Sequence, residues 1–436
     1  MSDDSGIDPL VPVEEEARQG ARWVSRARGL AIDISPLRTS PAYRRVWIGD
    51  SISIIGSSMS MVAIPVQVYD ITGSSFFVGL LGLVTLVPLI AFGLMGGAIA
   101  DAVERRKLLI TTQLLMTGAS VLLVVQALAG NRNIWLLYAL TALMSAVVAV
   151  DMPTRRAIAP LLLPPDQLAP AAALGQVVFN LGMVVGPLLA GVIIGIGGVE
   201  LVYAVDALSF VASIVAAIAL PQLPIAGGGT KAGAASVLEG FRFLRGRPAV
   251  LMTFVVDIIA MVFGMPRALF PELARERFGG GDRATGLLYA APAVGAFVGA
   301  LLGGWIGRIN RQGLAVVVAI VGWGAAVVGF GLSSWLWIGC IFLAAAGFAD
   351  MVSAVYRTAI LQVATPPALL GRLNGVFIVV VAGGPRLGDL EAGAVDHLFG
   401  ATVSVVSGGV ACIVGVAIAA ALGRRFLHYD ARDPHA

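Results

Sequence analysis

Long apolar runs recur along almost the whole chain and constrain its fold more than any other feature. A helix needs about 20 apolar residues to cross the roughly 30 Å hydrocarbon core of a bilayer. Twelve runs approach that length, and each predicts one transmembrane helix. They cover residues 47–69, 76–99, 108–129, 134–152, 170–195, 200–220, 249–270, 285–305, 313–332, 335–355, 373–394 and 399–423.

The composition indicates that much of the surface faces lipid. Hydrophobic residues make up 58% of the chain and charged residues only 13%, whereas soluble domains are about 45–50% apolar and about 25% charged. The net charge is +3, and the basic residues are spread over short turns rather than clustered on one face. This distribution argues against a nucleic-acid-binding protein.

The distribution of Lys and Arg predicts the orientation, because cytoplasmic loops of membrane proteins are enriched in both. Both termini are expected on the cytoplasmic side of a cell (inner) membrane. The segment Arg267–Arg283 is the exception, a basic stretch that we expect to form an outside loop. The predicted segments are a cytoplasmic tail (1–46) with an amphipathic helix around Arg18–Arg28, a first bundle (47–221), a cytoplasmic linker with an amphipathic helix (222–248), a second bundle (249–423) and a cytoplasmic tail (424–436).

An internal repeat relates the two halves of the chain. Three short stretches of the first half return in the same order in the second. A duplicated bundle of six helices is a known transporter plan, with the substrate site between the halves near the middle of the membrane. The matching stretches are 97–106 with 303–311, 151–156 with 350–357, and 186–187 with 384–385.

The stretch Gly97–Lys107 resembles the loop signature of the major facilitator superfamily. Asp101, Arg105 and Arg106 match the signature, whereas Ala102 and Glu104 depart from it. An acidic residue at the last of these positions is similar to the drug:proton antiporter branch that includes the enterobactin exporter, and 65–73, 151–155 and 383–389 also resemble that branch. The resemblance implies an all-α membrane fold of two pseudo-symmetric six-helix bundles, alternating access and proton-driven export of small amphipathic molecules, drugs or a siderophore.

Charged residues inside the predicted spans are candidates for proton coupling or substrate binding, because such charges are costly in a membrane. Asp257 lies about 14 Å into its span; it is either a proton carrier or a buried structural carboxyl. Arg386 and Asp389 share one helix face, as a structural pair or as a pair that substrate or proton breaks. Asp50 and Asp206 lie near span ends, where either could reach water.

A gating role is expected for Asp101, Arg105, Arg106 and Asp151. Arg105 could reach Asp151 at the inner end of the fourth span, and such ties would hold the inner side shut. The alternative is that these residues only anchor the loop on the cytoplasmic side.

Small residues of the fifth span resemble the antiporter signature of that helix. They are Gly182, Gly186, Pro187 and Gly191. Small residues let helices approach closely, and ordinary packing is the alternative explanation.

Among the aromatic residues, Trp323 and Phe254 are the best placed to line a cavity.

Other classes of function fit the sequence less well. The three histidines do not support an intramembrane enzyme, and a phosphate-binding loop for an ATP-driven pump is missing from the sequence. We expect no catalytic residues, cofactor or metal, and no nucleic-acid partner. The expected partners are a small-molecule substrate, protons and the bilayer, with the chain as a monomer. An importer, or a non-transporting sensor or scaffold of the same fold, remains as the alternative.

Overall fold

The computed structural model describes residues 33–222, 247–365 and 367–430. Within them, the side chains of residues 94, 96–98, 100–101 and 367–379 are outside the description. The amphipathic helices predicted around Arg18–Arg28 and within the linker, and the side chain of Asp101, therefore lie outside the described residues.

The described chain forms twelve membrane-crossing helices. Ten described stretches are long and apolar enough to cross a membrane, and one of them, Pro165–Ile218, contains two crossings. The helix Pro367–Phe399 is the twelfth crossing. The helical run Leu168–Ile218 breaks at Gly197 and Gly198, and its arms are α5 (168–196) and α6 (199–218). The other helices are α1 (Pro41–Thr72), α2 (Ser75–Ala102), α3 (Arg105–Leu128), α4 (Ile134–Arg156), α7 (Pro248–Phe263), α8 (Gly281–Leu302), α9 (Gln312–Leu332), α10 (Leu336–Ala364), α11 (Pro367–Phe399) and α12 (Ala401–Leu422).

The helices extend beyond the apolar runs because their ends are set by capping groups. α1 begins at Pro41 rather than residue 47, since Pro fits the first turn of a helix and the Ser40 hydroxyl accepts the Tyr43 N–H at 3.2 Å. The Asn133 side chain caps α4 by accepting the Trp135 N–H at 3.0 Å. Apolar composition marks the hydrocarbon core, whereas the caps mark the helix.

Two faces of the membrane domain can be defined from the chain path. Twelve crossings bring the start of α1 and the end of α12 to the same side, called here the terminal face. The segment between α7 and α8 lies toward the other side, called here the opposite face. Short helices precede, connect or follow the crossings; they are Ser35–Thr39, Ala159–Leu162, Pro165–Gln167, Arg267–Leu269, Phe270–Glu272, Leu273–Arg277, Gly303–Arg308 and Arg424–Leu427.

The two bundles of six repeat one another in detail. Pro41 and Pro248 each begin the first helix of a bundle. The turn into the last helix of each bundle uses a glycine with positive φ, Gly198 at 72° and Gly400 at 86°. The predicted architecture of two pseudo-symmetric six-helix bundles is therefore confirmed.

The bundles meet along two helix pairs, α2 with α11 and α5 with α8. Glycines bring the backbones together near the opposite face. A Cβ added at Gly82 would lie 2.2 Å from the Arg386 carbonyl oxygen, and one at Gly286 would lie 2.4 Å from the Pro187 carbonyl oxygen. Any larger residue at either position would force the helices apart.

Candidate functional site

A central cavity lies between the two bundles and has two lobes. The first lobe, of about 360 Å³, is walled mainly by α1, α5, α8, α9 and α10. The second, of about 400 Å³, is walled by α1, α2, α5, α8 and α11. Pockets for small molecules are typically about 300–1,000 Å³, so each lobe reaches that range.

The cavity wall is largely apolar, with aromatic and methionine side chains from both bundles. Toward the terminal face, Gln176, Phe297 and Ala300 are exposed. Methionine is flexible and aromatic rings are polarizable, so such a wall accepts apolar and aromatic groups of varied shape. Its chief members are Met61, Phe179, Met183, Met265, Phe270, Tyr289, Trp323 and Met351.

Arg267 stands where the two lobes meet and lines both. Two hydrogen bonds shape the turn that carries it. The Tyr289 hydroxyl donates to the Arg267 carbonyl oxygen at 3.1 Å, and Trp323 Nε1 donates to the Gly264 carbonyl oxygen at 2.7 Å. Arg267 belongs to the segment predicted as an outside loop, and the chain turns after α7 so that this residue lines the cavity. The Gly264 and Pro266 pair, a helix-breaking signal, could have revealed this turn.

Arg386 and Asp389 both line the second lobe, on one face of α11. Arg386 does not pair with Asp389 in this conformation. Instead, its Nε donates to Thr85 Oγ1 of α2 at 3.0 Å, and its Nη1 donates to the carbonyl of Ala382. Asp389 Oδ1 is buried without a hydrogen-bond partner among the described residues. Asp350 brings a second carboxylate to the wall of the first lobe.

Asp257 lies beside the cavity rather than in the wall of either lobe. It is buried and forms an ion pair with Arg357 of α10, and Arg357 also approaches Asp350 at 3.5 Å. Asp350 links this buried pair to the cavity.

The two aromatic candidates have different surroundings. Trp323 lines the first lobe, whereas Phe254 packs in a small apolar cluster.

A charged cluster closes the terminal end of the first bundle. Arg155 forms ion pairs with both Asp50 and Asp151. Asp151 also accepts hydrogen bonds from Thr112 at 2.6 Å and Gln113 at 3.2 Å. The cation bound to Asp151 is thus Arg155, on the same helix, and not Arg105 as the sequence suggested.

The other loop residues of this region have different neighbours. Arg106 Nη2 donates to the Ile218 carbonyl at the end of α6, at 2.7 Å. Arg105 is buried. These contacts attach the α2–α3 turn to the end of the first bundle.

The small residues of α5 serve two interfaces. Gly182 and Gly186 lie against Ile54 and Ser58 of α1, within the first bundle. Gly191 lies against the backbone of Asp282 and Gly286 at the start of α8, across the bundle interface. The stripe therefore lets α5 touch α1 and α8 at once.

Polar side chains lock the two bundles together at the opposite face. The Tyr69 hydroxyl donates to Glu276 Oε1 at 2.6 Å. Arg275 pairs with Asp70 of α1 across the interface and, at 2.9 Å, with Asp282 of its own bundle. Together with the Ser75–Glu272 hydrogen bond and the glycine contacts, these links close the cavity on that side.

Asp206 is much more deeply buried than the sequence suggested. The sequence placed it near a span end within reach of water, but its exposed fraction is 0%. Its Oδ2 accepts hydrogen bonds from Ser60 at 2.7 Å and Ser120 at 3.1 Å, and Oδ1 has no partner among the described residues. Three helices, α1, α3 and α6, enclose this carboxyl group.

Comparisons with known proteins agree with this geometry. Residues 31–434 match the family model described as "Transmembrane secretion effector". The chain is 30% identical to the enterobactin exporter EntS of Citrobacter koseri over 398 residues, covering 91% of this chain and 95% of that protein. It is also 30% identical to the enterobactin exporter EntS of Salmonella typhi over 399 residues, covering 91% and 96%.

Solved structures share the fold at low sequence identity. A bacterial homologue of the human lysosomal transporter Spinster, in an inward-facing and unoccupied conformation, has a TM-score of 0.69 at 16% identity, covering 92% of this chain and 98% of that one. A POT family transporter in complex with 5-aminolevulinic acid has a TM-score of 0.71 at 10% identity, covering 89% and 97%.

Proposed function

Because the chain belongs to the transmembrane secretion effector family of the major facilitator superfamily, we propose that it exports small amphipathic molecules by proton antiport and alternating access. It is a multi-pass membrane transporter of small molecules rather than an enzyme. The central cavity carries the proposal: it lies between two bundles, has an apolar wall with a few charged groups, and is closed at the opposite face.

A siderophore is the first substrate to test, and lipophilic drugs are the second. The relatives are named as enterobactin exporters, and enterobactin is a catecholate with aromatic rings and acidic hydroxyls. Arg267 and Arg386 would bind such oxygens, since guanidinium groups form strong hydrogen bonds to anionic oxygens. The aromatic and methionine wall would bind the rings.

The membrane and the orientation are part of the proposal. Basic residues flank the helices at the terminal face, which the positive-inside rule assigns to the cytoplasm. The chain would then lie in the cytoplasmic membrane as a monomer, with both termini inside. The cavity, closed at the opposite face, would load substrate from the cytoplasm. The basic residues concerned include Arg44, Arg45, Arg105, Arg106, Lys107, Arg155, Arg156, Arg308, Arg311, Arg424 and Arg425.

Proton coupling is assigned to Asp389, Arg386 and Asp257. One oxygen of Asp389 at the cavity wall has no hydrogen-bond partner among the described residues, so a proton bound there would change the charge that the substrate meets. Protonation of Asp257 would weaken its attraction to Arg357, and the freed guanidinium could turn to Asp350. A charge change in a poorly solvated region alters such balances strongly.

Gating is assigned to the charged residues at the terminal end of the first bundle. Asp101, Arg105, Arg106 and Asp151 would form ties there when the terminal face closes. The Gly182, Gly186, Pro187 and Gly191 stripe would let α5 move against α1 and α8 without side-chain collisions.

Transport into everted membrane vesicles tests the proposal. Vesicles with an acidic lumen are given enterobactin or ethidium, and accumulation is measured for wild type, Asp389→Asn and Asp257→Asn. Glu391→Gln is the matched control, because Glu391 is a half-buried carboxyl on the same helix as Asp389 that is absent from the wall of both lobes.

The expected result is gradient-driven accumulation by wild type and Glu391→Gln that both Asp variants lose. Transport of substrate only out of the vesicle lumen, which corresponds to the outside of the cell, would favour an importer. Folded wild-type protein that moves neither compound under any gradient would overturn export of these classes and favour a sensor or scaffold.

A further inference from the structure

A buried polar seam runs through the first bundle, between α1, α3 and α6. On α6, polar side chains recur every three or four residues and therefore share one face: Tyr203, Asp206, Ser209 and Ser213. All four are at most 5% exposed. A continuous polar face inside a membrane bundle is costly, since buried polar groups must find hydrogen bonds there.

Asp206 is the centre of the seam and the group least explained by packing. It accepts hydrogen bonds from Ser60 and Ser120, but no described cation pairs with it. The facing helix α1 has a glycine at this level, because a Cβ at Gly56 would lie 2.2 Å from Ser209 Oγ and 3.0 Å from Asp206 Oδ1. A carboxylate without a paired cation is very costly away from water, and such a group commonly binds a proton and becomes neutral.

The seam connects to the ends of the bundle. Beyond Asp206 toward the terminal face, Ser213 Oγ lies 3.3 Å from Asp50 Oδ1 and 3.5 Å from Arg155 Nη2. Toward the opposite face, the Tyr203 hydroxyl donates to Gln67 at 2.8 Å. Gln126 Nε2 donates to the same Gln67 oxygen at 2.9 Å.

The second bundle builds the same corner with apolar residues or glycine at the four corresponding positions. Gly198 and Gly400 begin corresponding helices with the same positive-φ turn. Counting from these glycines, Asp206 corresponds to Gly408. The other three seam positions of α6 correspond to Val405, Ala411 and Gly415. The fold therefore does not require the seam.

We propose that Asp206, with Ser60 and Ser120, is a proton-binding site inside the first bundle, separate from the substrate cavity. A hydronium ion at the terminal face gives up a proton, which reaches Asp206 along the polar face of α6 and leaves a water molecule behind. An O–H bond then forms at Oδ1, which turns the carboxylate into a neutral acid. The assignment of this proton to transport rests on the proposed antiport, but the binding site itself does not.

Few titratable or charged groups lie around Asp206 in the described part of the chain. Tyr203 lies one turn away on α6, and the Asp50–Arg155–Asp151 cluster lies beyond Ser213. The side chains that α1 and α3 direct at Asp206 are the hydroxyls of Ser60 and Ser120. A pH-dependent signal from Asp206 should therefore be separable from its surroundings.

Infrared difference spectroscopy tests the site without any substrate. Spectra of the purified wild-type protein in lipid are recorded between acid and alkaline pH, in H₂O and D₂O, to detect the C=O stretch of a protonated carboxyl. We expect a deuterium-sensitive band that is lost in Asp206→Asn and kept in Ser404→Ala, a buried serine of the second bundle. Ser120→Ala keeps the carboxyl but should shift the pH at which the band appears, which covers the case in which Asp206→Asn does not fold.

The remaining outcomes overturn the proposal. A wild-type protein without such a band, an identical band in Asp206→Asn, or a titration unchanged by Ser120→Ala would each do so. In proteoliposomes, Asp206→Asn should still exchange enterobactin down its gradient but lose accumulation driven by pH. Accumulation driven by a Na⁺ gradient and not by a pH gradient would show that the site binds sodium instead of a proton, and would overturn the proposal. Wild type that moves no enterobactin would refute the proposed function, while the spectra would still decide the site.

Discussion

The Asp257–Arg357 ion pair permits a prediction that separates stability from coupling. The side chains are only 3% and 8% exposed, so neither is solvated if the other is removed. Breaking a buried pair on one side typically costs about 3–5 kcal/mol, whereas replacing both partners by apolar residues is often neutral. We therefore expect Arg357→Met to lose about 3–5 kcal/mol of unfolding free energy, and Asp257→Leu/Arg357→Met to regain most of it.

The unfolding free energy would be measured by denaturant titration in mixed micelles. The matched comparison is Arg155→Met, in the corresponding pair of the first bundle. Arg155 and Asp50 are 22% and 23% exposed, so the loss should fall between the about 1 kcal/mol of surface pairs and the value for buried pairs. A loss below about 1 kcal/mol for Arg357→Met would refute the buried-pair argument. Full gradient-driven transport by the stable double variant would refute the coupling role of Asp257.

Three further predictions concern the cavity and its closed side. Arg267→Gln should weaken substrate binding about 10-fold or more, and Arg267→Lys should weaken it less, because a hydrogen bond to a charged group contributes about 1.5–3 kcal/mol. Quenching of Trp323 fluorescence by enterobactin would measure the affinity, and equal binding by both variants would contradict the prediction. Gly82→Leu should hold the opposite face open and raise labelling of a cysteine placed at Thr85, whereas Gly118→Leu should not, because a Cβ at Gly118 meets nothing within 4 Å. Arg275→Gln should shift the equilibrium between the closed and the open opposite face by only about 0.2–1 kcal/mol per ion pair lost, because its partner Asp70 is 42% exposed. Distances between spin labels on α2 and α11 would report the shift. A fully opened population would show that the ion pair dominates closure.

The crossings were predictable because each is encoded locally. An apolar run of membrane length identifies a helix whatever its neighbours are, and the repeat of 151–156 in 350–357 correctly indicated two related bundles. The helix ends were less predictable. Ser40 and Pro41 start α1 ahead of its apolar run, so the cap rather than the hydropathy sets the boundary.

The contacts within the site were not predictable, because they depend on how each helix is rotated against its neighbours. Asp257 was singled out from the sequence, but its partner Arg357 lies on a helix far along the chain. Arg386 and Asp389 share a face as expected, yet Arg386 turns to Thr85 of the other bundle. Sequence spacing identifies which side chains share a face, and packing decides which of them meet.

The burial of Asp206 is encoded in the periodicity of polar residues along its helix. Its position near the start of α6 suggested access to water. The recurrence of polar residues at 203, 206, 209 and 213 indicates instead a face directed at other helices, because an amphipathic pattern within a membrane bundle points its polar side inward.

The glycine contacts between the bundles bear on how much work a transport cycle requires. Where Gly82 and Gly286 let the backbones touch, these two positions place no bulky side chain between the helices. Opening the closed side would separate these backbones and break the polar links around Arg275 and Glu276. Two shapes separated by only a few kcal/mol can each be populated, and the binding of one proton or one substrate molecule is then enough to reverse the preference between them.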